Sequence, residues 1–225
     1  MPTIVFASPK GGVGKTTSAL LLGLQLSKQY GVSMIDADPN RPLTRWATGG
    51  NKPDNMRMIS NPDENNIIEC IEEAAAQTPF VLVDLEGTAS KLVLLAVSQA
   101  DFVLIPTQGS ELDASEAGRA IHVIRQHEKM ARRTLPFAVM LTRTNPQIRT
   151  RNLAHIARSL AGASIPVLEN EMHEREAFKS VFAFRQTLDG LDPKEVANLD
   201  KARANIDALM NELLDRLTLA TEVAP

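Results

Sequence analysis

The sequence predicts an α/β fold: a mostly parallel, doubly wound sheet of about seven strands with helices on both faces. Three observations carry this prediction. Apolar, β-branched runs recur along the chain, and segments with helical spacing separate them. Such alternation builds parallel sheets, because each new parallel strand needs a crossover. The runs are apolar throughout, as strands covered on both faces require. Finally, a glycine-rich turn leads from the first run into the first helix, placing backbone donors at the strand C-termini where α/β ligands lie. The 225 residues fit one domain, 1–225. They are 44% hydrophobic but only 4% aromatic, so the core is expected to be aliphatic.

The first strand is Thr3-Ile4-Val5-Phe6-Ala7, and the turn after it is Ser8-Pro9-Lys10-Gly11-Gly12-Val13-Gly14-Lys15-Thr16-Thr17. Glycines let a backbone wrap so that successive N–H groups converge on an anion. The start of the following helix, Ser18 to Gln29, adds unpaired donors and a partial positive charge. Lys15 would reach the outer phosphates of a nucleotide, and the Thr16 hydroxyl would ligate Mg²⁺. The ordinary phosphate-loop pattern has a glycine where this chain has Pro9, and a second lysine, Lys10, stands at the front of the loop. The helix centre, Ala19 to Leu26, is leucine-rich, and Tyr30-Gly31 ends it.

Val32 to Pro39 reads as a second strand ending in two acids, Asp36 and Asp38, with Pro39 forbidding further pairing. Asn40 to Trp46 is a short helix carrying the single tryptophan, a packing residue or interface anchor. A loop-rich crossing follows, containing a short strand from Met56 to Ser60. A helix is then expected from Asp63, its N-cap, to Gln77. Pro79 to Asp84 is an apolar strand ending in an acid, a Walker B pattern in which Asp84 serves Mg²⁺ and the Gly87 N–H could contact a γ-phosphate. Glu86 is assigned only an outward-facing side chain. The remaining elements are a helix at Lys91–Ser98, a strand at Asp101–Thr107 and a helix from about Asp113 to Ala131. A strand at Pro136–Thr142, an amphipathic helix at Ile148–Leu160 and a last short strand at Ser164–Leu168 follow. A long tail helix from Lys194 to Leu219 ends the series, with an apolar stripe at Val196, Leu199, Ile206, Leu209, Leu213 and Leu217 expected to dock on the sheet.

Composition narrows the function. One cysteine, Cys70, rules out a disulfide framework and a self-contained thiolate metal site, and is read as a small core residue. The histidines His122, His127, His155 and His173 show no ligand spacing and read as surface residues. The chain enters its first strand without a basic, apolar leader, so the expectation is a cytoplasmic protein. Net charge is −3, but from Arg119 to Arg185 there are 12 Lys/Arg against 5 Asp/Glu. A segregated positive face is the footprint of a phosphate-backbone binder; the bland alternative is solvated helix faces. Arg149, Arg151 and Arg158 lie on the polar side of one helix, and Arg175, Lys179 and Arg185 follow.

Lys10-Gly11-Gly12-Val13-Gly14-Lys15-Thr16-Thr17 resembles the deviant Walker A motif of the ParA/MinD family of P-loop ATPases. Asp36-Ala37-Asp38-Pro39 resembles the family's second motif, and the likeness covers nearly the whole chain. Here Leu85-Glu86-Gly87 stands where family members carry Thr-Pro-Pro. The lack of an N-terminal extension makes the chain similar to the short ParA subgroup. Asn40–Trp46 and Met172–Arg175 are also similar to a ParA-like protein of the VirC operon in T-DNA transfer. The resemblance implies an ATPase with ATP and Mg²⁺ as cofactors, bound through Gly11, Gly12, Val13, Gly14, Lys15, Thr16 and Thr17. It implies that Lys10, Lys15 and Asp38 are catalytic, with Lys10 reaching a partner's phosphates and Asp38 orienting water. Thr16, Asp36 and Asp84 would serve the metal, Arg143 and Thr144 would border the adenine, and Arg175 would bind DNA without sequence preference. The implied partners are a second copy in an ATP-bound homodimer, nucleoid DNA and a ParB-like or cargo adaptor protein. The acidic-leaning tail argues against a membrane. Plasmid partition, conjugative transfer and positioning of a protein cargo all remain open on these residues. An electron carrier with a metal cluster is excluded for want of cysteines.

Overall fold

The computed structural model describes residues 1–87, 90–148 and 150–223. In chain order the elements are β1 (Thr3–Phe6), α1 (Lys15–Ser27), β2 (Val32–Ala37), α2 (Pro42–Ala47), β3 (Met56–Ser60), α3 (Ile67–Gln77), β4 (Phe80–Leu85) and α4 (Lys91–Ser98). They continue as β5 (Phe102–Thr107), α5 (Glu111–Ala131), β6 (Phe137–Thr144), α6 (Arg151–Gly162), β7 (Met172–His173), α7 (Glu176–Ala183) and α8 (Leu199–Val223). The seven strands form one sheet in the order β3-β2-β4-β1-β5-β6-β7. Every pairing is parallel.

Strand residues alternate between two cores, which is why the strands are apolar on both sides. Ile4 and Phe6 point into one cluster with α1, α2, α7 and α8. Val5 and Ala7 point into the other with α3, α4, α5 and α6. The leucines of α1 are buried all round because α8 covers the side turned away from the sheet; Leu20 and Leu21 are both fully buried. The apolar stripe of α8 therefore docks on α1, α7 and the edge strand β7 more than on the central strands. The indole of Trp46 is buried and its Nε1–H donates to the carbonyls of Val181 and Gln186, both at 3.1 Å, tying α2 to α7. Trp46→Phe keeps an aromatic ring but removes both bonds; Val181 O retains the Gln186 N–H, while Gln186 O loses its indole donor. A loss of about 1–2 kcal/mol is expected in urea unfolding followed by circular dichroism; an unchanged midpoint would contradict it.

Several boundaries differ from the sequence expectation. The helix expected from Asp63 starts one turn later, because Asp63 spends its carboxylate on the Asn65 N–H and Asn66 takes the cap position. Ser164–Leu168 contributes only a single bridge, Val139 to Val167, and the seventh strand is Met172–His173. The amphipathic helix begins at Arg151, where the Thr150 hydroxyl caps the Leu153 N–H. The tail helix begins at Leu199, preceded by Asn198 at φ 60°. Cys70 is half-buried at the edge of the core. His127 is buried, and His173 is hydrogen-bonded within the sheet edge, so neither is an ordinary surface residue.

Candidate functional site

β1 lies between β4 and β5, and the chain leaves β1 and β4 toward opposite faces of the sheet. That divergence opens a crevice at the strand C-termini. Register sets what meets there: Phe6 pairs with Asp84, and Asp36 stands opposite Asp84 in the adjacent strand. The loop after β1 turns through Gly12 (φ 77°) and Gly14 (φ 100°), a left-handed conformation that favours glycine. Its carbonyls are held from outside. Gln108 Nε2 donates to Gly12 O at 2.9 Å, Thr142 Oγ1 to Val13 O at 2.7 Å and Ser18 Oγ to Gly14 O at 2.7 Å. The first turn of α1 leaves its N–H groups without helical acceptors. The loop is thus a fixed cradle of donors. Gln108, Thr142 and Ser18 were invisible as site residues in the sequence, since Gln108 follows β5 and Thr142 lies in β6, both remote in the chain.

A cleft of about 590 Å³ opens over this cradle. It brings together Gly11, Gly12, Gly14, Lys15, Thr16, Thr17, Asp38, Gly87 and Arg143, as the sequence expects, and adds Asn40 and Glu86. Val13 is buried beneath it. Thr144 turns away: it is buried, and its hydroxyl bonds His173 Nδ1 at 2.8 Å. Glu86 is exposed, as expected, but it faces the cleft. Gly87 is required by close approach. A Cβ there would lie 2.9 Å from Gly11 N and 3.1 Å from Lys15 Nζ.

Lys15 is 7% exposed and donates from Nζ to the carbonyl of half-buried Lys10 at 3.0 Å. Burial pulls its pKa down, opposed by Asp84, Asp38 and Glu86. Asp84 is fully buried with neither carboxylate oxygen hydrogen-bonded, and burial pushes its pKa up to about 7. The nearby Thr16 hydroxyl works against that rise. Asp36 is also fully buried. Its Oδ2 accepts from Thr44 N at 2.7 Å and Thr44 Oγ1 at 2.8 Å, while Oδ1 is unpartnered. Burial raises the Asp36 pKa and the Thr44 bonds oppose it. Three orphaned carboxylate oxygens beside a hydroxyl fit a hard divalent cation with oxygen ligands. Among the described residues no group of three or more His, Cys, Asp or Glu forms a self-contained metal cage. Asp38 accepts the Asn40 N–H at 2.8 Å and so shapes the turn at the cleft wall.

The cationic residues separate. Arg151 and Arg158 lie on the exposed side of α6, whose Leu153, Ile156 and Leu160 are buried below. Arg149 lies outside the described residues. Arg175, at the N-cap of α7, is half-buried; its Nε has no acceptor, and burial pulls its pKa down. Lys179 is ion-paired with Glu174 at 3.1 Å and Glu176 at 3.9 Å. Arg185 is exposed. α6 and α7 pack on opposite faces of the sheet, so the basic stretch of the sequence is not one continuous face.

Cradle, crevice and strand-end carboxylates define a P-loop NTPase fold of the ParA/MinD type. A family model described as "VirC1 protein" matches residues 1–212. The chain belongs to the VirC1 family. It is 37% identical to "Protein ParA" of Rhizobium radiobacter over 98% of this chain and 99% of that one. It is 32% identical to virC1 of Rhizobium rhizogenes over 80% of each. Identity to the maintenance of carboxysome distribution protein A of Halothiobacillus neapolitanus is 24%, over 94% and 96%. Among solved structures, the ATP complex of a Cyanothece McdA variant superposes with TM-score 0.73 at 18% identity, covering 95% of this chain and 96% of that chain. MinD of Pyrococcus horikoshii with Mg-ADP gives 0.69 at 15% identity, over 92% and 93%. At those identities the structural likeness carries the fold. Among the described residues no helix is long and apolar enough to cross a membrane.

Proposed function

We propose that this chain is an ATP-dependent DNA partition and positioning ATPase. The observation that supports the reading best is the charge arrangement under the cradle. A buried lysine rests on a loop carbonyl, above three carboxylate oxygens that have no partner. The Gly11–Thr17 loop takes the phosphates, and Lys15 exchanges the Lys10 carbonyl for a phosphate oxygen. Thr16, Asp36 and Asp84 would hold Mg²⁺, which neutralises phosphate charge when bound. Arg143, exposed at the cleft wall at φ 52°, borders the base, with Thr144 supporting that strand end from below. Gly87 lies close against the loop, and its N–H would meet a terminal phosphate.

Two copies close face to face over their nucleotides, and Lys10 of each reaches the other's phosphates. Charge neutralisation across a subunit boundary is what an arginine finger supplies elsewhere. Closure joins the cationic surfaces of two chains, drawn from Arg149, Arg151, Arg158, Arg175, Lys179 and Arg185. Doubled phosphate contacts raise affinity for nucleoid DNA. Hydrolysis, with water oriented by Asp38, releases the dimer, and a ParB-like or adaptor partner accelerates that step. The virC1 likeness favours a second reading, service to transfer DNA. The carboxysome-distribution relative supports the same chemistry applied to a protein cargo.

Asp38→Ala tests the cycle. With ATP and Mg²⁺ it is expected to accumulate as a dimer retained on DNA, read by light scattering and a DNA pull-down. A variant that stays monomeric at saturating ATP would sink the face-to-face model.

A further inference from the structure

We infer that the DNA phosphate backbone is taken by a surface that α2 and α7 build together, with Arg41, Arg45 and Arg185 as its cations. This rests on the DNA-binding reading and locates it. The stretch from Asn40 to Arg57 carries four Lys/Arg against one acid, Asp54, and reads in sequence as a short helix followed by a loop-rich crossing. The fold attaches it to α7. Besides the Trp46 bonds, Asn51 Nδ2 donates to Arg185 O at 3.0 Å. A Cβ on Gly49 would lie 2.4 Å from the Arg185 Cβ, so the two backbones meet there. Arg185 Nη1 donates to Thr48 Oγ1 at 3.4 Å, and that hydroxyl donates to Arg45 O at 2.7 Å. The Arg185 guanidinium therefore sits at the C-terminal end of α2, one turn from Arg45. Arg41 precedes Arg45 by four residues, about 6 Å along the helix axis.

All three arginines are exposed, and among the described residues none is ion-paired to a carboxylate. Each commits one nitrogen to a protein acceptor: Arg41 to Asn61 Oδ1, Arg45 to Asn40 O, Arg185 to Thr48. A guanidinium anchored in this way is pre-oriented and still has N–H donors for a phosphate oxygen. Two neighbouring lysines are otherwise engaged, and Arg175 is half-buried. Lys179 is held by two glutamates, and Lys52 Nζ turns onto the Pro53 and Met56 carbonyls. A membrane would need an apolar face. Among the described residues Phe184 is the single exposed large apolar side chain next to these elements. Finally, α2 is bonded to the cleft: Thr44 holds Asp36, and Asn40 lines the cleft wall. The surface lies one hydrogen bond from a metal-site carboxylate, which gives nucleotide state a direct route to it.

The test compares wild type with Arg45→Gln/Arg185→Gln, both at saturating ATP and Mg²⁺. Random-sequence duplex binding is followed by anisotropy from 50 to 200 mM KCl. The double variant is expected to bind about tenfold or more weakly, with the slope of log affinity against log salt shallower by about 2. Arg151→Gln/Arg158→Gln, on the other face, is expected to flatten the slope less. An unchanged slope for the α2–α7 pair, with flattening by the α6 pair, would overturn the inference. So would a loss of binding to phosphatidylglycerol vesicles with DNA binding intact. A wild-type protein that ignores duplex DNA at 50 mM KCl would instead fail the DNA reading itself, and this surface with it.

Discussion

Replacing Lys15 by alanine is expected to weaken Mg·ATP binding by at least about 100-fold, roughly 3 kcal/mol. Lys15 is 7% exposed, and its ammonium donates to one carbonyl in the nucleotide-free protein, Lys10 O. Truncating one partner of a buried charge contact costs about 2–5 kcal/mol. A water-filled gap cannot substitute for a point charge placed among Gly87, Asp38 and the loop. Fold stability should change far less, because removing the side chain also removes the desolvation that pulls its pKa down. Calorimetric titration with ATP and Mg²⁺ gives the affinity, and a thermal melt gives the control. Wild-type affinity in a folded variant would refute the site.

Asp84→Asn should separate stability from metal dependence. Folding raises the Asp84 pKa from 3.8 to about 7. The native state therefore holds a proton that the unfolded chain releases, and the sign follows. The favourable contribution is complete below pH 4 and is lost as pH rises through 7. The difference of about three pH units is on the order of 4 kcal/mol. Above pH 7 the nucleotide-free protein carries a buried, unpartnered carboxylate; asparagine removes that charge. Melting should be similar for both proteins at about pH 4 and higher for the variant at pH 8, though the amide leaves part of the gain unrealised. The Mg²⁺-dependent share of ATP stabilisation should disappear. A variant that melts below wild type at pH 8 would show that Asp84 is not a strained charge held for a cation.

Much of the cradle was legible in the sequence because its determinants are local. A strand, two glycines at left-handed positions and a helix start are contiguous, and so are the lysine and threonine that follow them. Asp38 and Asp84 were legible for a related reason: an acid ending an apolar strand must emerge at one sheet edge. What was not legible depended on register and on contacts between remote segments. Nothing local says that Asp36 stands opposite Asp84, or that Thr44 occupies one of its oxygens and leaves the other bare. Thr144 looked like a companion of Arg143, but strand alternation turned it inward onto His173. The last strand was misplaced because Ser164–Leu168 has the apolar composition of a strand while Met172–His173 has the pairing.

The basic stretch marks the boundary between the two kinds of information. Charge along the chain is additive and can be counted from residues alone; the parallel sheet of about seven strands and the phosphate cradle likewise follow from local pattern. Charge over a surface is a matter of which helices pack on which face. α6 packs on one side of the sheet and α7 on the other, which divides the basic stretch. Packing of Trp46 and Gly49 against α7 brought Arg41 and Arg45 to Arg185, across more than a hundred residues of chain.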